Sequence, residues 1–314
     1  MKDYKYLFGP VPSRRFGRSL GIDLIPYKTC SQDCVFCQLG RTTNKTITRK
    51  EYVPTDRVLD ELKDWLKTDG EADYLTLSGS GEPTLHSRFG VVLDFIRTNS
   101  TIPAVLLTNG TMLDHQRVRD AASIANVVKV SLSAWDQASY GWVNRPSPRL
   151  RFKQLLEGQR AFRAQFKGKL WMEVFLIEGM NATPADVKKI AVLAKGIKPE
   201  RTQLNTAIRP PAEDFAEPVP KEQLFRLIHH FRPKAEVISE FSEKKWGDLG
   251  VNQEIILSML QRRPCTSNQI SDVFGLHLNE VSKYIGNLLR GDQIQAERRK
   301  NNIYYRAQKQ KGQK

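Results

Sequence analysis

The sequence predicts an α/β chain: a partly closed barrel of six β/α units followed by a small basic module. Three observations carry this. Apolar runs of strand length alternate with amphipathic stretches six times between residues 20 and 231. Three of the four cysteines, Cys30, Cys34 and Cys37, sit together directly after the first of those runs. Beyond residue 250 the rhythm changes to three short helical stretches and a pair of strands. Apolar strands in six β/α units imply a parallel sheet wound by right-handed crossovers, which puts functional loops at the strands' C-terminal ends.

Taken in order, residues 9–20 (Gly-Pro-Val-Pro-Ser-Arg-Arg-Phe-Gly-Arg-Ser-Leu) are rich in breakers and read as an ordered loop near the site. The planar forks of Arg14, Arg15 and Arg18 suit a phosphate or carboxylate there, with a solvated basic segment as the plain alternative. A short strand over 20–25 delivers the cysteines, and a basic loop follows through Arg41, Lys45, Arg49 and Lys50. The helix over 55–67 has Thr55 as N-cap and sets Val58, Leu59, Leu62, Trp65 and Leu66 on one face. Strands over 73–78, 104–108, 127–132, 169–177 and 202–208 then pair with helices over 88–97, 114–122, 151–164, 183–195 and 221–231. Residues 235–239 add an edge strand. The barrel unit is expected over 1–240, a charged, glycine-bearing linker over 241–250 and the module over 251–314. In the module, helices over 252–262, 267–274 and 278–289 precede a hairpin of 293–297 with 303–306.

The composition sets limits on function. With 314 residues and 40% hydrophobic content, the chain can bury one large core and a smaller one. It has no run of eighteen apolar residues, and its N-terminus lacks the apolar stretch of a signal peptide, so a cytoplasmic protein without membrane spans is expected. Four cysteines, three of them clustered, do not make a disulfide framework and fit a reducing compartment. A formal charge of +15 attracts polyanions, nucleic acid foremost.

Several motifs fall where strands end. Soft thiolates in a C-x3-C-x2-C array suit zinc or an iron–sulfur cluster, and three ligands leave one position open. A structural zinc site would want a fourth ligand close by, and His86 is distant in the chain. The turn Leu77-Ser78-Gly79-Ser80-Gly81-Glu82-Pro83-Thr84 has two glycines that let backbone approach a ligand. Thr108-Asn109-Gly110 ends the third strand, and Ser131, Ser133 and Asp136 end the fourth; such residues also cap helices. Glu173, Gln203 and Asn205, with Arg209 beyond them, put polar groups on inner strands, where a substrate can supply their partners. The five histidines read as structural or surface residues, and Cys265 is too isolated to build a second cluster.

With Phe36 just ahead of its third cysteine, the array resembles that of the radical S-adenosylmethionine (SAM) superfamily. The resemblance implies a partial (β/α)6 TIM-like barrel in which Cys30, Cys34 and Cys37 hold a [4Fe–4S] cluster. SAM would chelate the fourth iron and contact Phe36, Gly79, Ser80, Gly81, Glu82 and Pro83. Asn109 and Ser131, with Asp136 as a further candidate, would hold its ribose and carboxylate. It further implies reductive cleavage of SAM to methionine and a 5′-deoxyadenosyl radical that takes hydrogen from a substrate, with a donor such as flavodoxin or ferredoxin supplying the electron. From Tyr6 to about Pro211 the motifs look most like a bacterial and archaeal group related to tRNA wyosine synthases. Those relatives use additional N-terminal cysteines for a second cluster, and none precedes Cys30 here.

The C-terminal pattern resembles a winged helix-turn-helix. Lys283 and Arg290 on its third helix, and Arg298, Arg299 and Lys300 on its wing, have the layout for phosphate contacts. Three readings follow: a radical SAM enzyme that modifies RNA, tRNA foremost; one acting on a protein or small metabolite, its module docking a partner; and an iron–sulfur DNA-binding regulator. Six β/α units with strand-end SAM motifs are more machinery than a sensor needs, which favours the enzymes.

Overall fold

The computed structural model describes residues 4–13, 16–68, 70–238, 253–262, 264–299 and 302–308. The expected linker over 241–250 lies outside the described residues, as do Arg14, Arg15 and Lys300.

A hairpin opens the chain, β1 (Leu7–Ser13) with β2 (Gly17–Ile22), and a cysteine-bearing loop follows, closed by the two-residue strands β3 (Thr29–Cys30) and β4 (Asn44–Lys45). The alternation then runs α1 (Thr55–Thr68), β5 (Tyr74–Leu77), α2 (Phe89–Asn99), β6 (Ala104–Leu107), α3 (Gln116–Ala122) and β7 (Val127–Ser131). Next come α4 (Gln137–Asn144), α5 (Phe152–Gln165), β8 (Lys169–Leu176), α6 (Pro184–Ile197), β9 (Arg201–Thr206), α7 (Lys221–Leu227) and β10 (Glu236–Val237). The chain ends with α8 (Gln253–Arg262), α9 (Ser267–Phe274), α10 (Leu278–Arg290) and a hairpin of β11 (Ile294–Arg299) with β12 (Asn302–Ala307).

The main sheet runs β1-β2-β5-β6-β7-β8-β9-β10 and is open at its ends among the described residues. From β2 to β10 every pairing is parallel, so the six expected strands are present in chain order. One face of each strand feeds the helix-side core: Leu75 and Leu77, Val128 and Val130, Met172 and Val174, and Leu204 pack with Val58, Leu62 and Trp65 of α1, Phe162 of α5 and Ile190 of α6. The other face lines the barrel interior, and its lower end is sealed by aromatic packing. Phe16, from the hairpin turn, stacks on Trp171 with ring centroids 5.1 Å apart, and Arg201 covers Trp171 at 5.0 Å.

Two expectations fail here. Residues 9–13 and 17–20 lie in strands and not in a loop: β1 pairs antiparallel with β2, with a register shift between Phe8 and Val11. Proline is tolerated there because β1 is an edge strand and bulged. Helix α4 has no counterpart in the sequence reading, since its eight residues carry no apolar stripe and expose Trp142.

The three C-terminal helices and antiparallel hairpin bury a second core, including Ile256, Met259, Ile270, Phe274, Val281, Ile285, Leu288 and Ile294. Cys265 is fully buried in it, its N–H and C=O both paired with Tyr305.

Candidate metal centre

All three clustered cysteines lie on the segment between β2 and β4, which the surrounding elements hold by backbone bonds. The Lys28 N–H donates to Ser80 O at 2.7 Å, Asp33 N–H to Asn144 O at 3.1 Å, and Val35 N–H to Val143 O at 3.1 Å. From the far side Glu213 N–H reaches Val35 O at 3.0 Å. The Glu213 carboxylate accepts from Arg41 at 3.0 Å and pairs with Arg145, the αL residue that ends α4. These two guanidiniums, Arg145 first, hold the Glu213 carboxyl below the usual carboxylate range. Phe36 lies flat on Phe175, centroids 4.1 Å apart and planes 10° from parallel. Of the links from other elements, none was legible locally; Asn144 and Glu213 give no motif of their own.

Each cysteine sulfur receives a side-chain N–H. Asn109 Nδ2 donates to Cys30 Sγ at 3.5 Å, Asn144 Nδ2 to Cys34 Sγ at 3.4 Å, and Lys28 Nζ to Cys37 Sγ at 3.3 Å. Burial, reinforced by Glu82, pushes the Cys30 thiol up to about 12, and burial pushes Cys34 up as well. Such thiols ionise only when a metal supplies compensating charge, and N–H donors then stabilise the thiolate. Among the described residues no three His, Cys, Asp or Glu side chains converge on a point that suits a single ion. Three soft sulfur donors on one loop, each met by an N–H, fit an iron–sulfur cluster.

The expected SAM motif takes a more inward role than its glycines promised. A Cβ on Gly81 would stand 1.9 Å from Thr29 O, and one on Gly79 would stand 2.5 Å from Asp23 Cγ. Those glycines thus serve close packing against this chain's own cysteine loop and Asp23. Ser80 donates to Asp23 through both N–H and hydroxyl, the latter at 2.5 Å. Glu82 is fully enclosed and accepts from Thr84 N at 3.0 Å, Thr84 Oγ1 at 2.6 Å, Thr108 Oγ1 at 2.6 Å and Asn109 N at 2.8 Å. Burial raises its pKa and those bonds oppose the rise. Pro83 opens a short 3-10 turn behind it. The Asn109 amide is committed to Ser31, Thr111 and Cys30, yet it lines one narrow cleft with Ser131, Ser133, Gln32 and Tyr140.

Two further candidates have partners within the chain. Asp136 forms a capping box with Ser139 at the start of α4, a local use of its carboxylate. Arg18 sits at the beginning of β2, the end away from the cysteines, with its side chain 3.4 Å from Glu71 and its N–H on Asp73.

On the inner face Lys129 Nζ meets Glu173 Oε2 at 2.6 Å, Asn205 Nδ2 meets Glu173 Oε1 at 2.9 Å, and Gln203 Nε2 meets Glu236 Oε1 at 3.1 Å. Both carboxylates fix the amide orientations, which leaves Gln203 Oε1 and Asn205 Oδ1 buried without a partner. Arg209 is buried at the mouth and donates to Gln38 at 3.2 Å, next to Cys37. In the module, Lys283, Arg290 and Arg298 are exposed, whereas Arg299 is bound to Glu297 at 2.7 Å and stands 3.7 Å from Asp214. Gln269 Nε2 donates to Ile208 O at 3.1 Å, so the module touches the loop that follows β9.

A thiol-bearing loop at the C-terminal mouth of an open, parallel (β/α)6 sheet defines a class: proteins that seat a metal cofactor above a barrel. The model of the Radical SAM superfamily matches residues 24–192, and this chain belongs to that superfamily. It is therefore a radical SAM enzyme, and the cofactors of that superfamily are a [4Fe–4S] cluster and SAM. It is 35% identical over 250 residues to a UPF0026 protein of Methanocaldococcus jannaschii, covering 79% of this chain and 77% of that one. It is 33% identical over 297 residues to a Brachyspira hyodysenteriae protein named GTPase Obg, covering 93% of this chain but 44% of that protein, less than half its length. Among solved structures, a radical SAM methyltransferase from Sphaerobacter thermophilus superposes with a TM-score of 0.53 at 17% identity, over 70% of this chain and 64% of that one. At that identity the likeness concerns the fold. No described helix is long and apolar enough to cross a membrane.

Proposed function

We propose that this protein is a cytoplasmic radical SAM enzyme that modifies RNA, tRNA foremost, using residues 1–240 for chemistry and residues 251–314 as a winged-helix grip. Cys30, Cys34 and Cys37 would hold the [4Fe–4S] cluster, whose chemistry when reduced by a flavodoxin- or ferredoxin-type donor is cleavage of SAM to methionine and a hydrogen-abstracting 5′-deoxyadenosyl radical. The observation that carries the reading is the set of three half-buried thiols on one tied-down loop, each met by its own N–H donor.

The side chains of this chain bind and orient. With the Glu82 carboxylate and the Ser80 and Glu82 backbone already engaged within the chain, the backbone of Gly79 and Gly81 is what remains to meet the methionine end of SAM. Asn109 and Ser131 border the cleft beside it, and Phe36 on Phe175 offers an apolar wall that keeps water out. Substrate N–H or O–H groups reaching the barrel interior would satisfy Gln203 Oε1 and Asn205 Oδ1, next to Glu173 and below Arg209. Exposed Lys283, Arg290 and Arg298 suit phosphate, in keeping with a net charge of +15. The likeness of the motifs to the tRNA wyosine synthase group supports a tRNA substrate without assigning wyosine as the product.

Anaerobic turnover tests the substrate class. Deoxyadenosine release that rises on adding total tRNA, but not DNA or peptide, is the expected result. Stimulation by peptide alone, or RNA nucleosides from a knockout strain with the same mass spectrum as wild type, would refute the RNA assignment.

A further inference from the structure

We propose that Lys28 tunes the cluster: its buried ammonium, held against Cys37, raises the reduction potential of the [4Fe–4S] centre. The proposal rests on the cluster reading above and assigns a role to a residue that coordinates nothing.

Lys28 is 3% exposed, although lysine is among the residues least often buried. Its backbone adopts φ 61°, a left-handed conformation that lysine seldom takes. Three main-chain bonds hold it there: its N–H to Ser80 O, and the N–H groups of Thr43 and Asn44 to its carbonyl. The side chain is not needed for those bonds, so closing the loop does not explain it.

Among the described residues the partner of its ammonium is the Cys37 sulfur, 3.3 Å away. A buried cation facing a neutral thiol has no counter-charge, and such an arrangement is costly. Thiolate bound to iron supplies that charge. Asn109 and Asn144 donate neutral N–H groups to the other two sulfurs, so Lys28 is the donor that brings a full charge.

The physical consequence concerns electron uptake. When a low-potential one-electron donor reduces the cluster, the centre gains one negative charge and the donor loses it. A cation fixed nearby in a poorly screened interior stabilises the reduced form more than the oxidised form. N–H bonds to cluster sulfurs act in the same direction but more weakly.

The test compares full-length wild type, Lys28→Gln and Lys28→Met after anaerobic reconstitution. Iron and sulfide are counted, and the midpoint potential is read by redox titration followed by EPR. The expected result is equal iron content with potentials falling in the order wild type, Gln, Met, because Gln keeps a donor without the charge and Met keeps neither. Loss of the charge should cut the ratio of reduced to oxidised cluster at a fixed donor potential on the order of tenfold, equivalent to about 59 mV for one electron. Fully loaded Lys28→Met with the wild-type potential would overturn the proposal. So would failure of both variants to bind iron while Lys28→Arg loads normally, since Lys28 would then hold the cluster and not tune it. Wild type that binds no iron under the same conditions would instead strike the cluster reading itself.

Discussion

The cysteine loop and the C-terminal module are both rich in polar side chains, but they hold them in opposite ways. Around the cysteines nearly every functional group is anchored from another element: Asn109 from beyond β6, Asn144 from α4, Glu213 from beyond β9. On the module, Lys283, Arg290 and Arg298 project into solvent. The contrast follows from what each region has to do. A metal centre demands groups fixed to fractions of an ångström, whereas the phosphate contacts proposed for the module would need charge only in roughly the right region.

The largest effect should come from the first region. Replacing Cys30, Cys34 or Cys37 by Ala is expected to abolish both iron binding and SAM cleavage, measured by iron analysis and deoxyadenosine release. Cys265→Ser, buried in the other core, should retain both. If Cys34→Ala kept its iron, the ligand assignment would be wrong.

Asn144→Ala removes one anchor and not a ligand, so a drop in metal affinity of about tenfold is expected, near the lower end for outer-shell groups. A chelator competition assay reads it.

Glu213→Gln should cost less, below about 1 kcal/mol of stability against the roughly 1.4 kcal/mol of a tenfold affinity loss, because Arg41 is largely exposed and its pairing is screened. The folded Glu213 carboxyl titrates below its unfolded value, so its stabilisation is present above the ordinary glutamate range near about 4.3 and is lost as pH falls through the depressed folded value. Melting temperatures of wild type and Glu213→Gln should therefore differ at neutral pH and converge in acid. A gap that widened in acid would contradict this.

The smallest effect on the fold should come from the module's exposed basic residues. Neutralising Lys283, Arg290 and Arg298 is expected to leave stability within about 0.5 kcal/mol. The slope of log affinity for RNA against log salt should fall by about 2–3. An unchanged slope would remove these residues from the account.

How much of this was legible in the sequence follows the same division. The cysteines announce themselves because they are close in the chain, and the six strands because their apolar runs are local. The donors that serve the cysteines are not local: Asn109 is 79 residues from Cys30, and Asn144 is 110 residues from Cys34. No window on the chain contains both members of either pair. Glu82 and Asn109 stand out in the sequence, but their bonding within the chain, carboxylate to Thr84 and Thr108 and amide to Ser31, emerges only from the fold. The hairpin strand β1 was hidden by Pro10 and Pro12, whose breaker character counts for less on a bulged edge. Lys28 lay in plain view two residues ahead of Cys30, but nothing in a lysine's identity tells that it is buried.

The stacked rings of Phe16 and Trp171 close the lower end of the barrel. For the RNA substrate proposed above, a polymer settled over the end where the cysteines lie would cover the way in from that side, so SAM would have to load first and its cleavage products leave last unless they pass between the unpaired edges β1 and β10.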